Sequence, residues 1–345
     1  MTSVHSSHGA VALFGLLLLT GGTAAALLSR RVIGLHVMDY PTGRSAHARP
    51  VPKGGGLAIL AVFLVGLPLA EMIFHHAAGR ADITLLVATV WLGLFSWYDD
   101  MHPMPPAWKL AAQIAAAGLV AWGSMPSLPH IPAWSGLLLR MVLLVGLCNA
   151  LNFVDGLDGL AGGCTVLACL ATAGLCLAAH GSVDIWATAL VLAVAVGGFL
   201  PFNFPHARLF MGDVGSQCCG LVLGTLGLRM ADMPHLPHGE ILMPLILSGM
   251  LADVAVTLLR RAMTGRPLMR AHREHLYQMA HRSGMAAWRI TLLAWGATLY
   301  GSLVAVAVAG TWMTPPVALG LAGVVQLGWA VIVWRQVRRT PELDW

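Results

Sequence analysis

Asn149, Asn152, Asp155 and Asp158 recur at intervals of three in N-A-L-N-F-V-D-G-L-D-G. While the chain is helical, that spacing puts them on one face, and Gly156 and Gly159 then permit a sharp turn. Four amide or carboxylate oxygens on one stripe suit a hard cation or a phosphate group better than they suit packing. Asp99 and Asp100 end an apolar run in W-Y-D-D-M-H-P-M-P-P-A-W-K. There the prolines at 103, 105 and 106 break the helix and Lys109 restarts it; a solvated helix end with a lysine partner is the plainer account. Asp213, in N-F-P-H-A-R-L-F-M-G-D-V-G-S with Arg208 just upstream, stands at a helix start, where an aspartate also serves as a cap. Gly212 and Gly215 permit close backbone approach and Ser216 adds a hydroxyl, so the same point suits a metal ion and phosphate.

Basic groups accompany these acids. Arg44, His47, Arg49 and Lys53 precede Gly54-Gly55-Gly56, a turn able to cradle phosphate. The segment 261–287 is dense in arginine and holds the run H-R-E-H-L-Y-Q, which contributes His272, Arg273, Glu274, His275, Tyr277 and Gln278. His272 and His275, three apart, would share a helix face and suit a metal pair. With no third ligand in reach, contact with a sugar nucleotide is the better reading.

The elements that must position these groups follow from composition. The chain has 345 residues, 57% hydrophobic and 10% charged, against about 25% charged in soluble domains. That excludes a soluble fold, disorder, a disulfide scaffold and nucleic-acid binding as the main activity. The expected fold is all-α, a polytopic integral membrane protein forming a single transmembrane domain over residues 1–345. Eleven apolar runs serve as spans, near 9–28, 54–75, 81–98, 107–123, 135–153, 158–178, 184–202, 214–231, 239–260, 288–310 and 315–334. Residues 1–8 hold no Lys or Arg while Arg30-Arg31 follow the first run, so that run reads as a retained span with its N-terminus outside. The C-terminus, with its short tail 335–345, then lies in the cytoplasm. On this topology all of the 20 Lys and Arg residues except Arg80, Arg140 and Arg229 fall on the inner side. The inner loops 29–53, 99–106, 154–157, 203–213 and 261–287 carry the candidate groups, so the chemistry belongs on the cytoplasmic face. The six cysteines read as small core residues.

Taken in order, five blocks resemble the polyprenyl-phosphate N-acetylhexosamine-1-phosphate transferases, glycosyltransferase family 4. They are D-Y-P-T-G-R-S-A-H with G-G-G, the Asp99-Asp100 pair with Lys109, N-A-L-N-F-V-D-G-L-D-G-L, F-M-G-D-V-G-S, and the histidine loop. The resemblance implies a multi-pass enzyme of the bacterial inner membrane, in which undecaprenyl phosphate attacks the sugar-attached phosphorus of a UDP-N-acetyl-amino sugar. Products would be the polyprenyl-diphospho-sugar and UMP. It implies Mg2+, with Mn2+ as an alternative, and leaves a homodimer open. Carried onto this chain, Asp213 is the metal ligand with Asp99 as a second contributor. Asp99, Asp100, Asp155, Asp158 and Lys109 are the catalytic set. Asn149, Asn152, Arg44, His47, Lys53, Gly55, Arg208, His272, Arg273, His275, Tyr277 and Gln278 contact substrate. H-R-E-H-L-Y-Q is similar to the O-antigen-initiating branch and argues against a muramoyl-pentapeptide donor, the alternative within the family. An ion-coupled transporter using Asp253 and Glu71 is a reading from another class, disfavoured because the acids gather at one face and no repeat is visible. A scaffold would leave the five polar blocks without a reason.

Overall fold

The computed structural model describes residues 2–41, 49–124, 133–267, 272–340 and 343, without the side chains of residues 2–7 and 133. The basic-turn residues Arg44 and His47 lie outside the described residues. Backbone groups in hydrocarbon must satisfy one another, and a helix does so within one segment. Each of the eleven apolar runs is accordingly helical: α1 (Thr2–Ile33), α2 (Gly55–Ile73), α3 (Arg80–Met101), α4 (Pro106–Gly123), α5 (Ala133–Val154), α6 (Leu160–Ala178), α7 (Val183–Asn203), α8 (Gly212–Ala231), the pair α9 (Gly239–Ile246) and α10 (Ser248–Met263), α12 (Ala287–Ala309) and α13 (Pro315–Arg338).

The ninth run is two helices rather than one. Pro244 cannot donate a backbone hydrogen bond, and the chain turns at Leu247 so that α9 and α10 meet at 77°. Among the described residues eight helices are long and apolar enough to cross a membrane, or nine if the bent pair is counted as one span. The shorter count relative to the eleven expected spans comes from α4 and α8, which carry Lys109 and Gln113, and Asp213, Gln217 and Arg229. Every residue of α8 from Val214 to Leu226 is buried, and a helix enclosed by other helices has no need of a uniformly apolar surface.

Two elements lie within expected loops. A two-stranded antiparallel ribbon pairs β1 (Met38–Asp39) with β2 (Val51–Pro52), and a seven-residue helix, α11 (Leu276–Arg282), occupies the segment 261–287. The ribbon matters because its exit is stitched to the start of α8. Phe210 N–H donates to Pro52 O at 2.8 Å, Gly55 N–H to Phe210 O at 2.9 Å, and Gly56 N–H to Met211 O at 2.8 Å. A Cβ on Gly56 would stand 2.1 Å from the Gly215 nitrogen. Only glycines allow α2 and α8 to approach this closely.

The three arginines that break the inner-side pattern are internally paired at the opposite ends of these helices. Arg229 reaches Asp82 at 2.8 Å and Asp184 at 3.1 Å, Arg140 reaches Asp232 at 2.6 Å, and Arg80 donates to Gly123 O at 3.3 Å. Their placement follows from partners inside the bundle. All six cysteines are buried and free.

Candidate active site

The C-terminal ends of α3, α5 and α7 and the N-terminal ends of α4 and α8 converge at one end of the bundle. Lys109 bridges two of them, 2.5 Å from Asp99 Oδ2 and 3.4 Å from Asp213 Oδ2. Lys53, delivered by the ribbon, lies 3.1 Å from Asp100 Oδ1. Asp99 is buried, and its other oxygen accepts the Met104 N–H at 2.8 Å. Both of its oxygens are thus engaged in holding the α3–α4 turn and Lys109.

Asp213 is held from several sides. Asn152 Nδ2 donates to its Oδ1 at 3.0 Å and to Ser216 Oγ at 3.0 Å, while Gln217 Nε2 donates to its Oδ2 at 3.2 Å. Gln113 Nε2 donates to Gln217 Oε1 at 3.2 Å, and Asn149 Nδ2 donates to Gln113 Oε1 at 2.6 Å. Three amides therefore form a hydrogen-bonded chain that ends on Asp213, and Gln113 Nε2 also donates back to Asn149 Oδ1 at 3.4 Å. Gln113 and Gln217 are each 3% exposed. Sequence reading missed both, although each stands four residues, one helical turn, after a flagged charge: Lys109 and Asp213.

A cavity of about 640 Å3 opens beside these groups. Its lining brings the carboxylates of Asp39, Asp100, Asp155, Asp158 and Asp213 together with Lys53, Arg273 and Arg282. Asn152, Gln278 and His281 line it as well. Asp100 Oδ2 is buried without a hydrogen-bond partner, and a Cβ built on Gly212, where φ is +74°, would lie 2.9 Å from it. An orphaned carboxylate oxygen at the start of α8, next to Asp213, is what a hard cation would satisfy. Among the described residues no three His, Cys, Asp or Glu side chains close on one metal-sized point, so a cation here would complete its shell with phosphate and water. Burial, and then the charges of Asp213, Asp100 and Asp158, push the Asp155 carboxyl well above its usual range.

The remaining expected site residues divide. Asp158 accepts the Ala207 N–H at 2.9 Å, tying the 154–160 turn to the segment before α8. Asn203, which sequence reading did not single out, does similar work: its Oδ1 accepts the Gly159 N–H and its Nδ2 donates to Leu209 O. Gly55 spends its N–H on Phe210 rather than leaving it for an anion. Arg208 folds back on the end of α7, donating to Pro201 O at 3.1 Å over the Phe202 ring, away from the cavity lining.

His272 and His275 do not share a helix face, because both precede α11. Their rings stack at 5.0 Å. Burial, with His275 and Arg261 nearby, lowers His272 to about 4, so it is neutral at pH 7. Glu274 receives Arg260, Arg261 and Arg266 at 3.0, 2.5 and 3.1 Å. Burial opposes its charge, yet these guanidiniums hold its carboxyl below the usual range. Tyr277 O–H donates to Phe153 O at 2.8 Å, and a Cβ on Gly156 would strike that hydroxyl at 2.2 Å. The Gly156 turn is therefore shaped around Tyr277.

Comparison with known proteins shows what the chain as a whole is similar to. The sequence model of glycosyl transferase family 4 matches residues 83–231, from α3 to the end of α8. The decaprenyl-phosphate N-acetylglucosaminephosphotransferase of Mycobacterium leprae (strain TN) is 31% identical over 87% of this chain and 83% of its own length. The phospho-N-acetylmuramoyl-pentapeptide-transferase of Moorella thermoacetica is 30% identical over 83% of this chain and 93% of its own. The probable undecaprenyl-phosphate N-acetylglucosaminyl 1-phosphate transferase of Bacillus subtilis (strain 168) is 27% identical over 75% and 74%.

Proposed function

This chain belongs to glycosyl transferase family 4, a multi-pass membrane enzyme of polyprenyl-phosphate sugar-phosphate transfer, and from that premise we propose its reaction. It transfers an N-acetyl-amino-sugar 1-phosphate from a UDP-sugar to undecaprenyl phosphate, at the cytoplasmic face of a bacterial inner membrane. The product opens the assembly of O-antigen or another lipid-linked envelope polysaccharide. The supporting observation is one cavity whose lining combines five aspartates with Lys53, Arg273 and Arg282, with Lys109 paired to Asp213 beside it.

In the proposed step an oxygen of the lipid phosphate forms a bond to the sugar-linked phosphorus. The bond from that phosphorus to the oxygen bridging it to the uridine-bearing phosphate breaks, and UMP departs with the electron pair. Such transfer depends on positioning and charge neutralisation more than on covalent help. Asp213 and, in place of Asp99, whose oxygens are both engaged, Asp100 would hold Mg2+, which when bound supplies positive charge to the phosphate oxygens. Lys53, presented by the ribbon, and Lys109, held between Asp99 and Asp213, offset the repulsion between two anionic substrates. A phosphate monoester has its second pKa near about 6 and is already mostly deprotonated at neutral pH. Asp99, with both oxygens occupied, therefore orients Lys109 rather than taking a proton.

The test is UMP release by purified protein with undecaprenyl phosphate and a panel of UDP-N-acetyl sugars, including the muramoyl-pentapeptide donor, with Mg2+ and with EDTA. Lipid- and metal-dependent UMP from one donor is expected. Release from the muramoyl-pentapeptide donor alone would move the chain to peptidoglycan synthesis, and no release from any donor would overturn the reaction.

A further inference from the structure

Asp253 has no part in the reaction above: it lies on α10, is 5% exposed and lines a second, apolar cavity with Tyr277. Its Oδ1 accepts from His275 Nδ1 at 3.0 Å and from the Leu276 N–H at 3.1 Å, and its Oδ2 accepts from the Tyr277 N–H at 2.9 Å. Leu276 and Tyr277 open α11, and the first N–H groups of a helix have no partner inside it. Such groups are ordinarily capped by the residue just before the helix. Here the carboxylate comes from another helix, 23 residues earlier than Leu276, and also complements the positive end of α11.

What α11 carries makes this cap functional. Gln278, His281 and Arg282 face the cavity from it, and Tyr277 closes on Phe153 two residues before Asp155. The approach to α11 is anchored on the same helix, because Glu274 is gripped by Arg260 and Arg261 of α10. We propose that Asp253 is a positioning residue: it fixes the first turn of α11 and His275, and so sets the wall of the cavity that faces the nucleotide. The proposal rests on the reading of that cavity as a nucleotide-sugar site.

The experiment uses the full chain in detergent, comparing wild type with Asp253→Asn and Asp253→Glu. Hydrogen exchange over 276–282, calorimetric binding of UMP, separate KM values for the two substrates, and the thermal midpoint are measured. Asp253→Asn turns an N–H2 group toward the N–H donors, and the expected result is exchange over 276–282 and nucleotide-sugar KM both rising about tenfold. The lipid KM, kcat and exchange elsewhere stay near wild type, and Asp253→Glu recovers part of the loss. Unchanged protection of 276–282 in Asp253→Asn would overturn the proposal. So would faster exchange throughout the chain with a lowered midpoint, the mark of a purely structural role. If wild-type protein binds no UMP, the nucleotide reading fails, and with it the cavity-wall role of Asp253. The exchange data would then report only on how α11 is held.

Discussion

Gln217 stands one turn beyond Asp213 on α8 and donates to the same carboxylate oxygen that Lys109 meets, at 3.2 and 3.4 Å. Behind it Gln113 and Asn149 continue the chain of amides into the bundle. The carboxylate is thereby held in one orientation by groups that never reach the cavity.

Breaking that chain at Gln217→Met should raise the Mg2+ concentration that the reaction requires about 10- to 100-fold, the usual scale for partners that orient a metal ligand. Titrating activity against Mg2+, and Mn2+ binding by electron paramagnetic resonance without substrate, checks this. An unchanged midpoint in both would remove Gln217 from the support of Asp213.

Asp155 gives a pH prediction. The folded state binds its proton more tightly than the unfolded chain does, chiefly through burial. Its contribution to stability is therefore fully present below the ordinary carboxylate value of 3.8 and is lost as pH rises through the elevated one. Asp155→Asn should be more stable than wild type at neutral pH in EDTA, with the advantage shrinking on acidification, while catalysis is lost. Thermal midpoints from about pH 4 to 8 test the sign.

Gly156→Ala would push a methyl into the Tyr277 hydroxyl, 2.2 Å from the ideal Cβ, whereas the ring carbon bearing that hydroxyl is 3.2 Å away. Activity should fall about tenfold, and Tyr277→Phe should return part of it in the double variant. A double-mutant cycle measures the coupling, expected at about 1 kcal/mol; strict additivity would mean the turn relaxes away from Tyr277.

At the far end, Arg229→Leu strands Asp82 and Asp184. Removing one partner of a buried pair costs about 3–5 kcal/mol, so the thermal midpoint should drop sharply. Activity per folded molecule should change little, which separates this network from the one around Lys109.

Apolar run lengths show where the helices lie, and the spacing of Asn149, Asn152 and Asp155 places that block at a helix exit. The bend at Leu247 is not visible in the same way, because it falls inside one long apolar run, where only Pro244 and the pair Ser248-Gly249 mark it. The cap from Asp253 to α11 joins residues 23 apart across a cation-rich segment, where periodicity carries no information about pairing. Lys109 reads as a phosphate ligand, yet the fold sets it between Asp99 and Asp213. Which charges a lysine at a helix start will meet depends on helices packed beside it, not on its neighbours in the chain. Gln113 and Gln217 were legible in principle, as amides one turn from a charge inside apolar runs.

The pairing of Arg229 with Asp82 has a mechanical consequence when set beside Lys109. α3 and α8 are tied at one end by Arg229 and at the other through Lys109, which joins Asp99 to Asp213. Two helices of about 30 Å fastened at both ends act as a single strut that cannot be shortened by sliding one past the other. A thinner or thicker bilayer must then be met by tilting the bundle, by deforming the lipid around it, or by shifting α1, whose spanning part is only 11% buried. The distance between the carboxylates at the cavity should therefore be insulated from the thickness of the membrane that surrounds it.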